Sequence, residues 1–554
     1  MNRFWLKSYP PGVPAEIDPA RLTSLAELLR QACAAYRERV AFEQMGRRMT
    51  FAQLDGLTRD FAAWLQDSGM VKGDRIAIML PNTLQYPIAL FGALRAGLVV
   101  VNTNPLYTAR ELQHQLEDSG ATAIVVLENF AHVVQEIAGH TALKKVLVTA
   151  AGDFLGFPKS WIVNYVVRRR RKQVPPWHIP GALDFREALS AGRELPLKAI
   201  DVGPEDVAFL QYTGGTTGVA KGAMLTHGNV SCNILQAEAW LGGRFSHEDG
   251  VLITAIPLYH IFALTANCLL FVHLGWKNVL IINARDFPAL VKEMAKQPFA
   301  FFSGVNTLFN ALLHTPGFAS IDFSHLQVTL GGGMAVQEAV ARRWKEVTGK
   351  ILTQAWGLTE TSPAAAINPT TDDFNGSIGL PVPSTEIAIK DDQGHDVPLG
   401  QTGEICVRGP QVMRGYWNRP DETAKVMLPE GWLRTGDVGH MDERGYVFLQ
   451  DRKKDLILVS GFNVYPNEVE AVAVTCPGVL ECAAVAQPDE HSGEVVALYV
   501  VPKDPKITEH DIIEYCRKSL AGYKVPKHVY FRKDLPKSNV GKILRKELRG
   551  GTRT

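Results

Sequence analysis

The sequence predicts an α/β protein: a large N-terminal domain of helix-covered sheets with a β-rich subdomain, followed by a small α+β C-terminal domain. Three observations carry this prediction. The chain has 554 residues, more than one hydrophobic core accommodates. Apolar strand-like runs alternate with amphipathic segments, the pattern of a sheet covered on both faces. From about Ile378 the texture changes to short strands and turns, among them Gly403–Gly409 and Gly415–Trp417, which reads as β-rich.

Taken in order, Ser24 to Arg39 is expected to be an amphipathic helix, with Ser24 and Glu27 as a capping box and Leu25, Leu28 and Leu29 on one face. Arg75–Leu80 is a strand that stops at Pro81-Asn82, and the following helix runs to Ala96, where Gly97 caps it. Leu98–Val101 and Ala123–Leu127 are further strands. Between them lies a helix opened by a Thr108/Glu111 capping box and closed by Gly120. Val328–Leu330 leads through Gly331–Met334 into a helix ending near Thr348. The charged knot Asp451–Asp455 marks the domain boundary, with residues 1–450 before it, residues 451–454 as the link and residues 455–554 beyond. One clear helix, Thr508 to Leu520, is expected in that last part.

Composition narrows the function. With 46% hydrophobic and 21% charged residues the chain is ordinary for a globular protein, and a net charge of +1 gives no electrostatic case for nucleic acid. Seven scattered cysteines, none in a CxxC pair, argue against a disulfide framework and fit a reducing cytosol. The charged start Met1–Lys7, soon followed by prolines, does not read as a signal peptide. Val251–Trp276 contains no Asp, Glu, Lys or Arg, but Pro257, His260, Asn267 and His273 interrupt it, so it reads as strand, loop and buried helix. Trp161–Val167 runs into Arg168–Lys172. An aromatic-apolar patch beside five cations suits an anionic membrane surface, and equally a solvated charge run on an insertion.

The chemistry-bearing stretch is Tyr212–Ala223, where Thr213, Gly214, Gly215, Thr216, Thr217 and Gly218 precede Lys221. Glycines let backbone amides converge, threonine hydroxyls add donors and the lysine adds one cation, which together make a phosphate cradle. Ala220 before the lysine and Gly222 after it exclude the P-loop pattern.

Six motifs in order define a resemblance that spans nearly the whole chain: Tyr212–Ala223, Gly357–Glu360, Arg434–Asp437, Asp451–Asp455, Ser460–Pro466 and Pro536–Lys542. Together they resemble the adenylate-forming superfamily of acyl-CoA synthetases, aryl-CoA ligases, luciferases and peptide-synthetase adenylation domains. Within it, Phe91–Gly97, Val101–Tyr107, Ile256–Leu264 and Gly304–Asn310 look like bacterial long-chain fatty acid–CoA ligases. The resemblance implies two steps. A carboxylate attacks the α-phosphate of ATP to give an acyl-adenylate and pyrophosphate, and the CoA thiol then displaces AMP. It implies that Thr213 to Gly218 and Lys221 hold the β- and γ-phosphates, and that Glu360, with Thr213, holds Mg²⁺. Asp437 would accept hydrogen bonds from the ribose hydroxyls and Arg452 would contact ribose or α-phosphate. Gly332, Gly333, Trp356, Gly357 and Thr359 would border the nucleotide. Relatives usually carry tyrosine at Trp356, which leaves that side chain without the hydroxyl's hydrogen bond.

By the same resemblance Lys542 is the catalytic residue of the first step, bridging carboxylate and α-phosphate. The C-terminal domain is mobile and swings about Lys454 between steps, bringing Gly461 beside the pantetheine tunnel. Lys524 and Lys527 reach CoA phosphates or are simply exposed. His260 orients the substrate carboxylate or is a satisfied buried histidine. Long-chain fatty acid and CoA are the expected partners, with peripheral contact at the inner face of the cytoplasmic membrane. The oligomeric state stays open, a homodimer being one option. The alternatives are an aryl- or medium-chain acyl-CoA ligase and, from another class, a membrane-associated fatty-acid binding or uptake protein without turnover.

Overall fold

The computed structural model describes residues 3–213, 220–241, 245, 250–489 and 491–549. Two large sheets dominate. In one of nine strands the parallel centre is made by Val40–Gln44, Lys277–Leu280, Val251–Thr254, Phe301–Gly304, Val328–Gly331 and Leu352–Gly357, with antiparallel strands at both edges. In the other, of eight strands, Arg75–Met79, Val99–Asn102, Ala123–Leu127, Lys145–Thr149 and Val207–Thr213 run parallel, and Lys221–Thr226 folds back antiparallel on the last of these. Strand alternation explains how both faces of each sheet are covered. Leu252, Ile78 and Val100 enter one large core shared by the two sheets with Leu28, Phe91 and Ile234 from helices. Their neighbours Ile253 and Phe302 pack outward with Phe309 and Trp344. Ala77, Val101 and Val126 do the same with Leu112 and Leu116.

The β-rich subdomain is a four-stranded antiparallel sheet of Glu386–Lys390, Gly403–Arg408, Leu433–Met441 and Val447–Arg452. The C-terminal part builds its own five-stranded sheet, from Ile457–Val459 through His528–Phe531, over separate small cores. This is the mixed α/β architecture expected.

Local expectations fare unevenly. The Thr108/Glu111 capping box is complete and Gly120 closes its helix at φ 62°. The first helix is shorter than expected, Leu25–Ala35, because the chain turns at Tyr36 into strand Val40–Gln44. Its capping box is only half made. Ser24 accepts the Glu27 N–H, but the Glu27 carboxylate accepts from Arg30 and Gln31 instead of reaching back. Among its described residues the C-terminal part holds three α-helices where one is expected: Pro466–Ala473, Glu509–Arg517 and Arg545–Leu548. The first and last are too short for a helical period to register in sequence. The charge-free segment forms strand Val251–Thr254, a loop, and a helix whose middle, Leu264–Leu269, is a π-helix. Among the described residues no helix is long and apolar enough to cross a membrane.

Candidate active site

The carboxyl ends of parallel strands are where an α/β sheet offers ligand-binding loops. Here they open on a cavity of about 1260 Å³, which Thr213, Gly332, Gly333, Trp356, Gly357, Thr359, Glu360, Asp437, Arg452, Lys221, His260 and Lys542 all line. Thr213 and Lys221 face each other as a register pair across the hairpin Val207–Thr213/Lys221–Thr226. The two residues flanking the Gly/Thr stretch therefore belong to one antiparallel strand pair. Gly214, Gly215, Thr216, Thr217 and Gly218 lie outside the described residues.

The Lys221 ammonium is ion-paired with Glu422 and sits 5.2 Å from the centroid of the Tyr416 ring. The Tyr416 hydroxyl donates to Glu360 Oε1 at 2.7 Å. Sequence reasoning missed both Tyr416 and Glu422. Glu422 follows Lys221 by 201 positions, and nothing in its own neighbourhood signals the contact.

The glycines meet real steric demands. A β-carbon on Gly332 would stand 3.2 Å from the Phe262 ring, and one on Gly357 would overlap the Pro363 carbonyl oxygen at 1.8 Å. Gly333 has φ +78°, a conformation that side chains disfavour. Trp356 Nε1 donates to Asp437 Oδ2 at 2.9 Å, so the indole takes a partner of its own in place of the missing hydroxyl. Asp437 is buried, and its Oδ1 lies 3.1 Å from Arg452 Nε without making a hydrogen bond. A buried carboxylate oxygen that has a charge partner but no hydrogen bond has acceptor capacity left for an incoming hydroxyl.

Lys542 arrives from the C-terminal part on a tight turn. Its N–H donates to Ser538 Oγ at 3.1 Å and its carbonyl accepts the Ser538 N–H at 2.7 Å. Thr307 Oγ1 fixes the turn by donating to the Gly541 carbonyl at 3.0 Å. Burial, with Arg452 nearby, pushes the Lys542 ammonium down to about 8. Behind the turn, Arg545 donates to Glu470 at 2.8 Å and to Asn467 at 2.6 Å and approaches Asp451 at 3.5 Å, while Asn467 N–H donates to Asp451 Oδ2 at 2.7 Å. Burial raises the Asp451 carboxyl to about 6. Lys454 is held at about 8, again chiefly by burial.

His260 caps the helix that begins at Ile261, its Nδ1 accepting the Phe262 N–H at 3.3 Å. Burial, then the Lys542 charge, lowers the imidazole to about 3. It is therefore neutral, and with Nδ1 accepting, Nε2 carries the proton. The loop before it is clamped from behind. Asn82 donates to the Thr254 and Ile256 carbonyls at 3.1 and 3.0 Å and accepts the Leu258 N–H at 2.8 Å. Tyr86 donates to the Leu258 carbonyl at 2.9 Å, and Gln211 to that of Tyr259 at 2.7 Å. The same cavity has an apolar wall that includes Ala237, Leu241, Ala266, Leu270, Phe301 and Ile367.

Other expected residues stand apart in this orientation. Gly461 is exposed at φ +83° in the hairpin Ile457–Val459/Phe462–Val464 and does not line the cavity. Lys524 pairs with Glu468 at 2.7 Å and Lys527 with Asp489 at 2.6 Å. Residues 159–170 form a short helix continued by a π-turn. Not all five cations there are free, because Arg168 donates to the buried Glu128 carboxylate at 2.8 Å. Among the described residues there is no cluster of three or more metal-ligating side chains.

Comparison with known proteins matches two family models, "AMP-binding enzyme" over residues 29–417 and "AMP-binding enzyme C-terminal domain" over residues 468–542. A long-chain-fatty-acid–CoA ligase of Escherichia coli O6:H1 is 55% identical over 100% of this chain and 99% of its own length. Among solved structures, ATP-bound MatB from Rhodopseudomonas palustris superposes with a TM-score of 0.83 at 29% identity, over 95% of this chain and 98% of that one. The apo form of the same MatB gives 0.72 at 28% identity and the same coverage.

Proposed function

Since the chain belongs to the AMP-binding enzyme family, we propose that it is an ATP-dependent long-chain-fatty-acid–CoA ligase. ATP and a fatty acid give acyl-AMP and pyrophosphate, and CoA then gives acyl-CoA and AMP. The observation that carries this is one cavity that joins Lys542, Glu360 and Asp437 to His260 and an extended apolar wall. A polar nucleotide end and an apolar acyl end meet where the carboxylate must react.

In the first step a carboxylate oxygen forms a bond to the α-phosphorus and the bond to the pyrophosphate oxygen breaks. Two anions approach each other, so catalysis is a matter of placing positive charge where negative charge gathers. Lys542 meets that need between carboxylate and α-phosphate. Arg452 flanks the ribose and α-phosphate, Asp437 Oδ1 accepts from a ribose hydroxyl, and Gly332, Gly333 and Trp356 border the adenine. Neutral His260 donates from Nε2 to the substrate carboxylate without adding charge. Thr213, Lys221 and the loop between them hold the β- and γ-phosphates.

The donor set also fits Mg²⁺. One carboxylate, Glu360, with a hydroxyl, Thr213, is too little for an all-protein cage and suits an ion carried largely by phosphate oxygens. The ion would neutralise charge on those oxygens.

In the second step the CoA sulfur attacks the acyl carbon, AMP leaves and the thiol proton is lost. On this reading residues 1–450 and 455–554 pivot about 451–454. Lys542 withdraws, and Gly461 and Lys524 face the CoA path instead. The better overlay with ATP-bound than with apo MatB, 0.83 against 0.72, supports the adenylating orientation for the arrangement described here.

The test is pyrophosphate release with ATP, Mg²⁺ and carboxylates from acetate through octanoate and oleate to coumarate, with and without CoA. CoA-dependent turnover best with oleate is expected. Preference for coumarate or acetate would move the substrate class, and no release with any acid would leave only a binding protein.

Peripheral membrane contact forms part of the proposal. Phe157, Trp161, Ile162 and Tyr165 are exposed at 91, 66, 48 and 50%, beside Arg169–Lys172. Co-sedimentation with anionic liposomes that survives neutralising Arg169–Lys172 would remove these cations from the contact.

A further inference from the structure

We propose that Glu422 is the resting counter-ion of Lys221, surrendering the ammonium to the triphosphate and recapturing it when pyrophosphate leaves, so that it sets how tightly both bind. The proposal rests on the reading of Lys221 as a phosphate ligand. Lys221 carries one charge and is already engaged by the Glu422 carboxylate. The pair is partly shielded, with side chains 21 and 30% exposed, so it is neither free in solvent nor locked in the core. Glu422 sits in the first turn of the helix Pro420–Val426 and also pairs with Lys425. Lys221 and Lys425 hold its carboxyl down to about 2.

Tyr416 makes the exchange local. Its ring lies under the Lys221 ammonium and its hydroxyl holds Glu360, so the cation can turn from Glu422 toward the Glu360 side of the cavity while staying over an aromatic face. A triphosphate arriving beside Glu360 brings more negative charge than one carboxylate and wins the lysine. Breaking the resting pair is a fixed cost on ATP binding. The same cost is regained when pyrophosphate departs and Glu422 takes the ammonium back. Glu422 therefore acts as a positioning residue, through Lys221, and touches no reacting atom.

The experiment compares Glu422→Gln, Lys221→Met and the double variant in the full-length enzyme. KM for ATP and the product-inhibition constant of pyrophosphate are measured for each. Glu422→Gln is expected to lower both constants about threefold to fivefold, the scale of a partly exposed ion pair, and to slow pyrophosphate release. Lys221→Met should raise both, and adding Glu422→Gln to it should change neither further. Unchanged or weakened binding in Glu422→Gln, with Lys221→Met weakened as expected, overturns the proposal alone. So does tightening that persists in the double variant. If Lys221→Met leaves ATP binding intact, the phosphate role of Lys221 fails first and this proposal falls with it.

Discussion

The Cε of Lys542 lies 3.3 Å from the point at which a β-carbon on Gly333 would stand. The two residues come from different parts of the chain, and a side chain at Gly333, besides needing φ +78°, would press on the Lys542 side chain. A Gly333→Val variant should therefore lose acyl-adenylate formation by roughly 10- to 100-fold, the cost of a small misplacement of a catalytic group. Lys542→Ala should lose about 100- to 1000-fold. Lys542→Ala should still convert supplied acyl-adenylate and CoA to acyl-CoA at near the normal rate. Equal loss in the two half-reactions would remove Lys542 from its assigned step.

The Lys542 ammonium, lowered to about 8 by burial and Arg452, sets an alkaline limit. The protonated form is the active one, so activity is full below that value and falls as pH rises through it. The pH profile of kcat/KM for ATP, which reports the free enzyme, should bend downward near pH 8. The profile of kcat should bend at higher pH, because bound phosphates stabilise the ammonium. A flat kcat/KM profile through pH 9.5 would contradict the assignment.

Gly461→Leu should act on the other step. No atom lies within 4 Å of a β-carbon at Gly461 in the present orientation, so adenylation has no steric reason to suffer beyond the strain of a left-handed residue, about 1–2 kcal/mol. Transfer to CoA should fall at least about tenfold if the second orientation brings this turn against the thiol path. The ratio of the two single-turnover rates is the measurement, and an unaltered ratio would refute the tunnel role.

Ala266 tests the acyl wall. It lies within the π-helix Leu264–Leu269 and lines the cavity. Ala266→Phe should cut kcat/KM for oleate by about 10- to 200-fold while leaving octanoate much less affected. A uniform decrease across chain lengths would place the acyl group elsewhere.

What could be read in advance follows a physical divide. Features written in adjacent residues were legible. The Thr108/Glu111 box and the Gly120 cap depend on neighbours in sequence, and the resemblance placed Glu360, Asp437, Arg452 and Lys542 where they do line one cavity. What stayed hidden depends on partners distant in the chain. Tyr416 under Lys221, Arg168 on Glu128 and Asn82 behind the Ile256–Leu258 loop announce nothing locally. The π-turn at Leu264–Leu269 was hidden for another reason: an apolar run has the same appearance whether it winds by four residues or five.

The turn that carries Lys542 runs directly into Arg545, and Arg545 with Asn467 is fastened to Asp451. The chemical tool and the bolt that holds it in place are therefore one piece of chain. On the pivoting reading, drawing the bolt also takes the tool away. Once the domain has left, pyrophosphate meeting the adenylate no longer finds the Lys542 ammonium to help it re-form ATP. Commitment to thioester then comes from a mechanical interlock, with no separate check required.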